Sequence, residues 1–316
     1  MSLLSSTETY ESVLKKPDLT IEQRNKIELA RKVLDFAKNE LKLNSEGNYS
    51  KIVMLDRPYV TYVVSAAEAW KLEPYQWSFP IVGKVPYLGF FNQQEALDQE
   101  QELKNKGYDT YMRGVSAYST LGWFKDPLLS SMLRYDDHVL VETLIHELVH
   151  TTFWVKDHVE FNERLATFLG RKGTELFYQS DQNINTVMNN EIADEILFSK
   201  FITDEVQQLS HWYQSLPESQ QRIEIKEARI KEIQTKFQTQ IIPKMKTDSY
   251  QKFADLKLNN ARLVMYRTYL KDDGDFERLW AKSGQNFAKF IELCQPLENS
   301  KNPDESLTKL LVDNTK

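Results

Sequence analysis

"TLIHELVHTTFWVKDHVEFNERLATFLG", residues 143–170, decides how this chain is read. It holds His146 and His150, two of the five histidines, four residues apart, with Glu147 directly after the first. At about 100° per residue an α-helix stacks the two imidazoles one above the other, about 40° apart around the axis, so both can reach one metal ion. Glu147 lies on the same half of the helix but is displaced sideways. A general base has to stand there, near a metal-activated water without occupying a ligand position. A catalytic zinc takes three protein ligands and a water, so a third ligand is required. "FNERLATF" offers Glu163, after a 12-residue gap from His150, and the polar "KDH" in that gap can turn the chain back. Ala166 and Gly170 fall on roughly the Glu163 side of the second helix, which permits close packing. Val141, Leu144, Ile145 and Leu148 mark the first helix as buried. The expected site is one Zn²⁺ per chain on His146, His150 and Glu163. Glu160 is the alternative third ligand. His158 is either a metal ligand or a solvated turn histidine. Asp157 either orients a ligand imidazole or simply turns the chain.

Working outward, the chain has 316 residues, 41% hydrophobic and 12% aromatic, enough for a packed core. The net charge of −6 with no basic block argues against a nucleic-acid partner, because that affinity rests on phosphate neutralisation. Cys294 is the single cysteine, which excludes an internal disulfide; it sits on an apolar helical face and is expected to pack in the core. No apolar run reaches the roughly 18 residues of a membrane span. The opening "MSLLSSTETYESVL" has neither a charged n-region nor a long apolar h-region, so it does not read as a signal peptide.

Residues 18–43 show a helical period through Ile21, Ile27, Val33, Leu34 and Leu41. Four strands are expected in "KIVMLD", "YVTYVVSA", "FPIVGKVPYLGFF" and "DTYMRGVSAYST", with a polar helix before the last that stops at Gly107. "DPLLSSML" reads as a helix begun by Asp126-Pro127. From about residue 185 the chain reads as helical. Ile223, Ile230, Ile233 and Phe237 form a stripe expected to face Ile196, Ile202, Val206 and Leu209 of an antiparallel neighbour across "SLPES". His211, beside Trp212, is read as packed or solvated. "KDDGD" lacks the spacing of a calcium loop and reads as a turn.

The stretches "RPYVTYVVSA", "WSFPIVGKVPYLGFF", "GYDTYMRGVSAYSTLGWFKDPLLSSML", "IHELVHTTFWVKDHVEFNERLATFLG" and "NNARLVMYRTY" together resemble a bacterial family of predicted zinc aminopeptidases, gluzincin-like and often predicted lipoproteins. The resemblance implies that His146, His150 and Glu163 hold zinc, that Glu147 is the base, and that the substrate is a peptide. It also implies an envelope location and a lipid anchor where a longer precursor carries one; without one, a cytoplasmic protein. Ser78 and Lys84 stand where many relatives have cysteines, and His158 where an aspartate is usual.

The expectation is therefore an α+β, mostly helical chain: a zincin-like core with a small mixed or antiparallel sheet, and a C-terminal helical region with a long antiparallel helix hairpin. Residues 1–184 would form the catalytic part, 185–300 a helical part closing the cleft, and 301–316 a flexible tail. Tyr118 and Tyr269 are the candidates to stabilise the oxyanion, and the "GVSAYS" edge would hold an extended peptide. The rival readings are a zinc endopeptidase and a non-catalytic helical scaffold with a relic site.

Overall fold

The computed structural model describes residues 7–45, 47–79, 83–116, 125–268 and 274–312. In chain order the first elements are β1 (Glu8–Thr9), α1 (Tyr10–Leu14), α2 (Ile21–Asn39), β2 (Lys51–Val53) and β3 (Thr61–Ala67). Next come β4 (Trp77–Phe79), β5 (Gly83–Val85), β6 (Tyr87–Phe90), α3 (Gln93–Asn105), β7 (Asp109–Val115) and β8 (Leu128–Leu129). The rest is helical: α4 (Asp137–Thr152), α5 (Val159–Phe177), α6 (Gln182–Ser215), α7 (Ile223–Lys236) and α8 (Asn260–Thr268). The last three are α9 (Gly274–Lys282), α10 (Phe287–Cys294) and α11 (Pro303–Val312). The fold is α+β, mostly helical with small sheets. Among the described residues no helix is long and apolar enough to cross a membrane.

The chain forms two compact units interleaved along the sequence. Unit 1 is Met1–Val60, Ser116–Asn185 and Asp272–Lys316; unit 2 is Thr61–Val115 and Thr186–Lys271. This differs from a single division after residue 184. Strand β3 buries Tyr62, Val64 and Ala66 with Ala96 and Leu103 of α3, and its Ala67 joins a cluster with Phe198, Ile202 and Leu263. The strands of residues 61–115 thus share a core with the helices of unit 2. The helices of residues 274–312 instead share the core of unit 1.

In unit 1, α2 starts at a capping box in which Thr20 and Gln23 satisfy each other's backbone donors. Ile27 and Val33 are fully buried and Leu41 nearly so, but Ile21, in the first turn, is 73% exposed. Helix α4 packs against both α2 and α5. Lys26 of α2 fixes its start, donating to the Tyr135 carbonyl and the Asp137 carboxylate. Phe168 of α5 meets Phe276, Trp280 and Phe290 of α9 and α10, and Cys294 lies in the same core. "DPLLSSML" is not a helix: Leu128 and Leu129 form a parallel strand beside Ile52 and Val53, followed by a short 3₁₀ turn at Met132–Arg134. Both leucines are buried there, so tertiary pairing overrides the proline signal. Nor is the C-terminal stretch a flexible tail throughout. Helix α11 runs to Val312, with Pro303 at its first turn and Leu307 1% exposed in the core.

In unit 2 the antiparallel sheet has the order β6-β3-β7, and β4 pairs with β5 separately. Among the described residues, eight short strands in three sheets thus replace the four expected. "KIVMLD" pairs with β1 and β8 in unit 1, and Pro86, which has no N–H, separates β5 from β6. The helical stripe holds at Ile230, Ile233 and Phe237, and at Ile202, Val206 and Leu209. Ile223, the first residue of α7, is 54% exposed, and Ile196 is 65% exposed because it points to the opposite side of α6 from Ile202 and Leu209. A buried polar network ties this unit together. Lys226, 2% exposed, binds Asp109 at 2.6 Å, and Asp109 also accepts from the Asn260 backbone at 2.7 Å. The Asn260 side chain accepts from Tyr213 and donates to the carbonyls of Glu68 and Ala69.

Phe237 is fully buried against the rings of Phe198, Phe201 and Phe253. Phe237→Ala should cost about 3–5 kcal/mol of stability, read as a lower urea midpoint; an unchanged midpoint would contradict this packing.

Candidate metal centre

The site is built on two helices that pass very close together. Glu163 lies opposite His146 and His150, and Gly170 lies opposite Glu142, so α5 runs antiparallel to α4. Small residues line the seam. A Cβ on Gly170 would stand 3.1 Å from the Glu142 carbonyl oxygen and 3.3 Å from the His146 Cβ. A Cβ on Gly173 would stand 2.9 Å from two carbons of Ile145. Ala166 is fully buried on the same side.

The connection between the helices is fixed by a side chain that spacing alone did not single out. Asn162 is 1% exposed; its amide oxygen accepts from the Val155 N–H at 2.9 Å and its amide nitrogen donates to the Val155 carbonyl at 2.8 Å. Asp157 takes a positive φ of 65° in this turn, so it serves the chain reversal. At the end of α4, Thr151 donates to the Asn44 carbonyl and Thr152 accepts from the Asn44 N–H.

The described residues contain one cluster with metal-ligand chemistry: His146, His150 and Glu163, with one donor atom from each within 4.8 Å of the others. The two Nε2 atoms are 3.1 Å apart, and each lies 3.4 Å from a different oxygen of Glu163. Four ligands around a zinc ion at about 2.0–2.1 Å are separated by roughly 3.3 Å along each edge of the tetrahedron. The separation of the two imidazole nitrogens is close to that edge, and each nitrogen reaches a carboxylate oxygen at a similar distance, so the chemistry and spacing of this donor set fit a zinc ion. Glu160, His158 and Asp157 are not in the cluster. Tyr118 and Tyr269 lie outside the described residues.

The electrostatics are asymmetric. Burial, then the neighbouring His146, push the His150 pKa down to about 4, with Glu163 opposing, so His150 is neutral at ordinary pH. Burial also opposes a charge on His146, but its hydrogen bond to Glu163 and the carboxylates of Glu147, Glu163 and Glu142 outweigh it and raise its pKa. Burial works against ionising Glu163; the hydrogen bond from His146 and the two imidazoles overcome it and hold the carboxyl below its usual range. The His146 Nδ1 faces the Thr167 hydroxyl at 3.5 Å, a contact not foreseen from sequence. The Tyr49 phenol is pushed up by burial and then by Glu147 and Asp126, which puts it within electrostatic reach of Glu147.

Because the seam leaves no room for a branched side chain, Gly170→Val should lower stability by about 1–3 kcal/mol. Thermal unfolding that matches wild type would mean the helices separate without cost.

Among known proteins, no curated protein and no solved structure matches the chain. A family model described as "Putative aminopeptidase" matches residues 1–310, a span that takes in both helices of the site and nearly all of the 316 residues. The chain belongs to this aminopeptidase family.

Proposed function

We propose that the protein is a zinc-dependent aminopeptidase, with His146, His150 and Glu163 holding one zinc ion and Glu147 acting as the general base. The observation that carries this reading is the convergence of two imidazole nitrogens and a carboxylate, from two helices, with one donor atom from each within 4.8 Å of the others. A zinc ion held there would supply Lewis-acid polarisation of a peptide carbonyl and would acidify the attacking water. Glu147, whose side chain is only part-buried, takes the proton from that water and passes it to the leaving amine nitrogen as the C–N bond breaks. His150 needs no deprotonation to serve as a ligand, and Glu163 is ionised; His146 must give up the proton that its carboxylate neighbours favour. Tyr118 and Tyr269 are the proposed donors to the oxyanion.

The α4–α5 pair would be the helical heart of a zincin-like core. Helices α6 and α7, joined through a short break and sharing one buried stripe, would form the antiparallel hairpin. Ion pairs from Arg229 and Lys236 of α7 to the buried Glu205 of α6 support that pairing. The aminopeptidase reading over an endopeptidase rests on the family match.

Two variants separate ligand from base. Glu163→Ala should strip the protein of most of its zinc, measured by elemental analysis. Glu147→Gln should keep the metal but lose at least about 100-fold in turnover, because an amide cannot accept the proton. Retained metal in the first variant would remove Glu163 from the ligand set, and full activity in the second would remove Glu147 from the mechanism.

The exopeptidase assignment is tested by blocking the substrate's amine. A peptide with a free N-terminus should lose its first residue, and its N-acetylated copy should stay intact because acetylation removes the charge to be recognised. Mass-spectrometric detection of internal cuts in the blocked peptide would identify an endopeptidase.

A further inference from the structure

His146 and His150 are held by different means. His150 is locked by packing. Its side chain is 2% exposed, and its ring meets those of His146 and Trp154 edge to face, with centroids 4.8 and 5.4 Å apart. Its Nδ1 is buried with no hydrogen-bond partner among the described residues. The His146 side chain is 19% exposed, so surrounding walls constrain it less. The terminal torsion of a histidine has a broad, roughly two-fold preference. Turning the His146 ring over would put carbon where Nε2 now stands and take a donor atom out of the cluster.

What fixes this ring comes from α5. Glu163, Thr167 and Gly170 are spaced by four and three residues, so they form one stripe along that helix. All three meet His146. A Glu163 carboxylate oxygen lies 3.4 Å from its Nε2, and the Thr167 hydroxyl lies 3.5 Å from its Nδ1. A Cβ on Gly170 would stand 3.3 Å from the His146 Cβ, so glycine lets this residue lie close. Threonines inside helices commonly turn their hydroxyl back to the carbonyl one turn earlier. Thr143, Thr152, Thr174, Thr235 and Thr239 do so here, each donating to the carbonyl four residues before it at 2.7–2.9 Å. Thr167 has no such bond; among the described residues the partner of its hydroxyl is the imidazole. An imidazole that offers its Nε2 lone pair to a metal carries its proton on Nδ1, and that N–H calls for an acceptor.

We infer that Thr167 is a positioning residue: its hydroxyl accepts from the His146 Nδ1–H and holds the ring with Nε2 turned into the metal site. This rests on the zinc reading of that site. A neutral hydroxyl orients the ring without placing a second negative charge beside Glu163.

The test is zinc affinity of the full-length chain, measured by competition with a chelating dye. Thr167→Val keeps the branched shape and removes the hydroxyl, and should weaken zinc binding about 10- to 100-fold. Thr167→Ala should match it, so the result does not hang on one substitution. Thr167→Ser restores the hydroxyl and should stay within about threefold of wild type. The unfolding midpoint of the metal-free protein should be nearly the same in all four, which separates positioning from a general loss of structure. In the zinc-loaded chain, nitrogen-15 spectra should show a protonated His146 Nδ1, with its proton exchanging faster in Thr167→Val than in wild type. Zinc bound by Thr167→Val and Thr167→Ala as tightly as by wild type would overturn the proposal. So would a serine variant as weak as the valine one with an unchanged metal-free midpoint. A wild-type chain that takes up no zinc would overturn both this proposal and the metal-centre reading. Zinc bound with the expected pattern but no cleavage of free-amine peptides would sink the peptidase reading alone and leave the role of Thr167 supported.

Discussion

The close approach of α4 and α5 is the constraint on which unit 1 depends. Donor atoms from two backbones come within 4.8 Å of one another only if the helices carry small residues where they touch. Gly170 and Gly173 supply that contact, and any Cβ there would press on Glu142, His146 or Ile145. Glycine in a helix interior costs about 1 kcal/mol relative to alanine. The seam accepts that cost at two positions because the overlap a side chain would create is worse. The Asn162 amide then fixes the register by satisfying both backbone groups of Val155 in a turn where water does not reach them.

Bringing two imidazoles and a carboxylate together in a largely buried place has an electrostatic consequence. The protonated forms compete, and the outcome is one histidine kept neutral, one drawn toward its charged form, and a carboxylate held ionised. Burial alone would push all three toward neutrality. The carboxylate is what breaks the symmetry, because it hydrogen-bonds His146 while burial and the His146 charge govern His150. A divalent cation is the species that favours the deprotonated form of all three at once.

Unit 2 solves a different problem. Its strands are short and its sheet has a single fully paired strand, β3, so polar side chains take over part of the work of joining sheet to helices. Lys226 reads in sequence as one more charge on a solvated face, yet its ammonium is buried between Asp109 and the Trp70 ring. Breaking such a pair leaves one charge uncompensated, at about 3–5 kcal/mol. The Asn260 side chain closes the network by meeting three backbone carbonyls and the Tyr213 hydroxyl.

What the sequence determined by itself is what depends on short-range spacing. His146 and His150 share a helix face because four residues is just over one turn, and Glu163 follows on a second helix started beyond "KDH". The capped start of α2 and the stop of α3 before Gly107, whose φ is +84°, are equally local. Tertiary structure decided everything that depends on which face another element covers. Ile21, Ile196 and Ile223 fit an apolar pattern and stay exposed, while Leu128 and Leu129 become a strand only because β2 lies beside them. It also decided that Asn162 would hold the turn, that Gly173 would face Ile145, and that α11 would fold onto the core through Leu307. A periodic pattern states that a face is apolar, but only the packing partner, distant in sequence, supplies the surface that removes it from water.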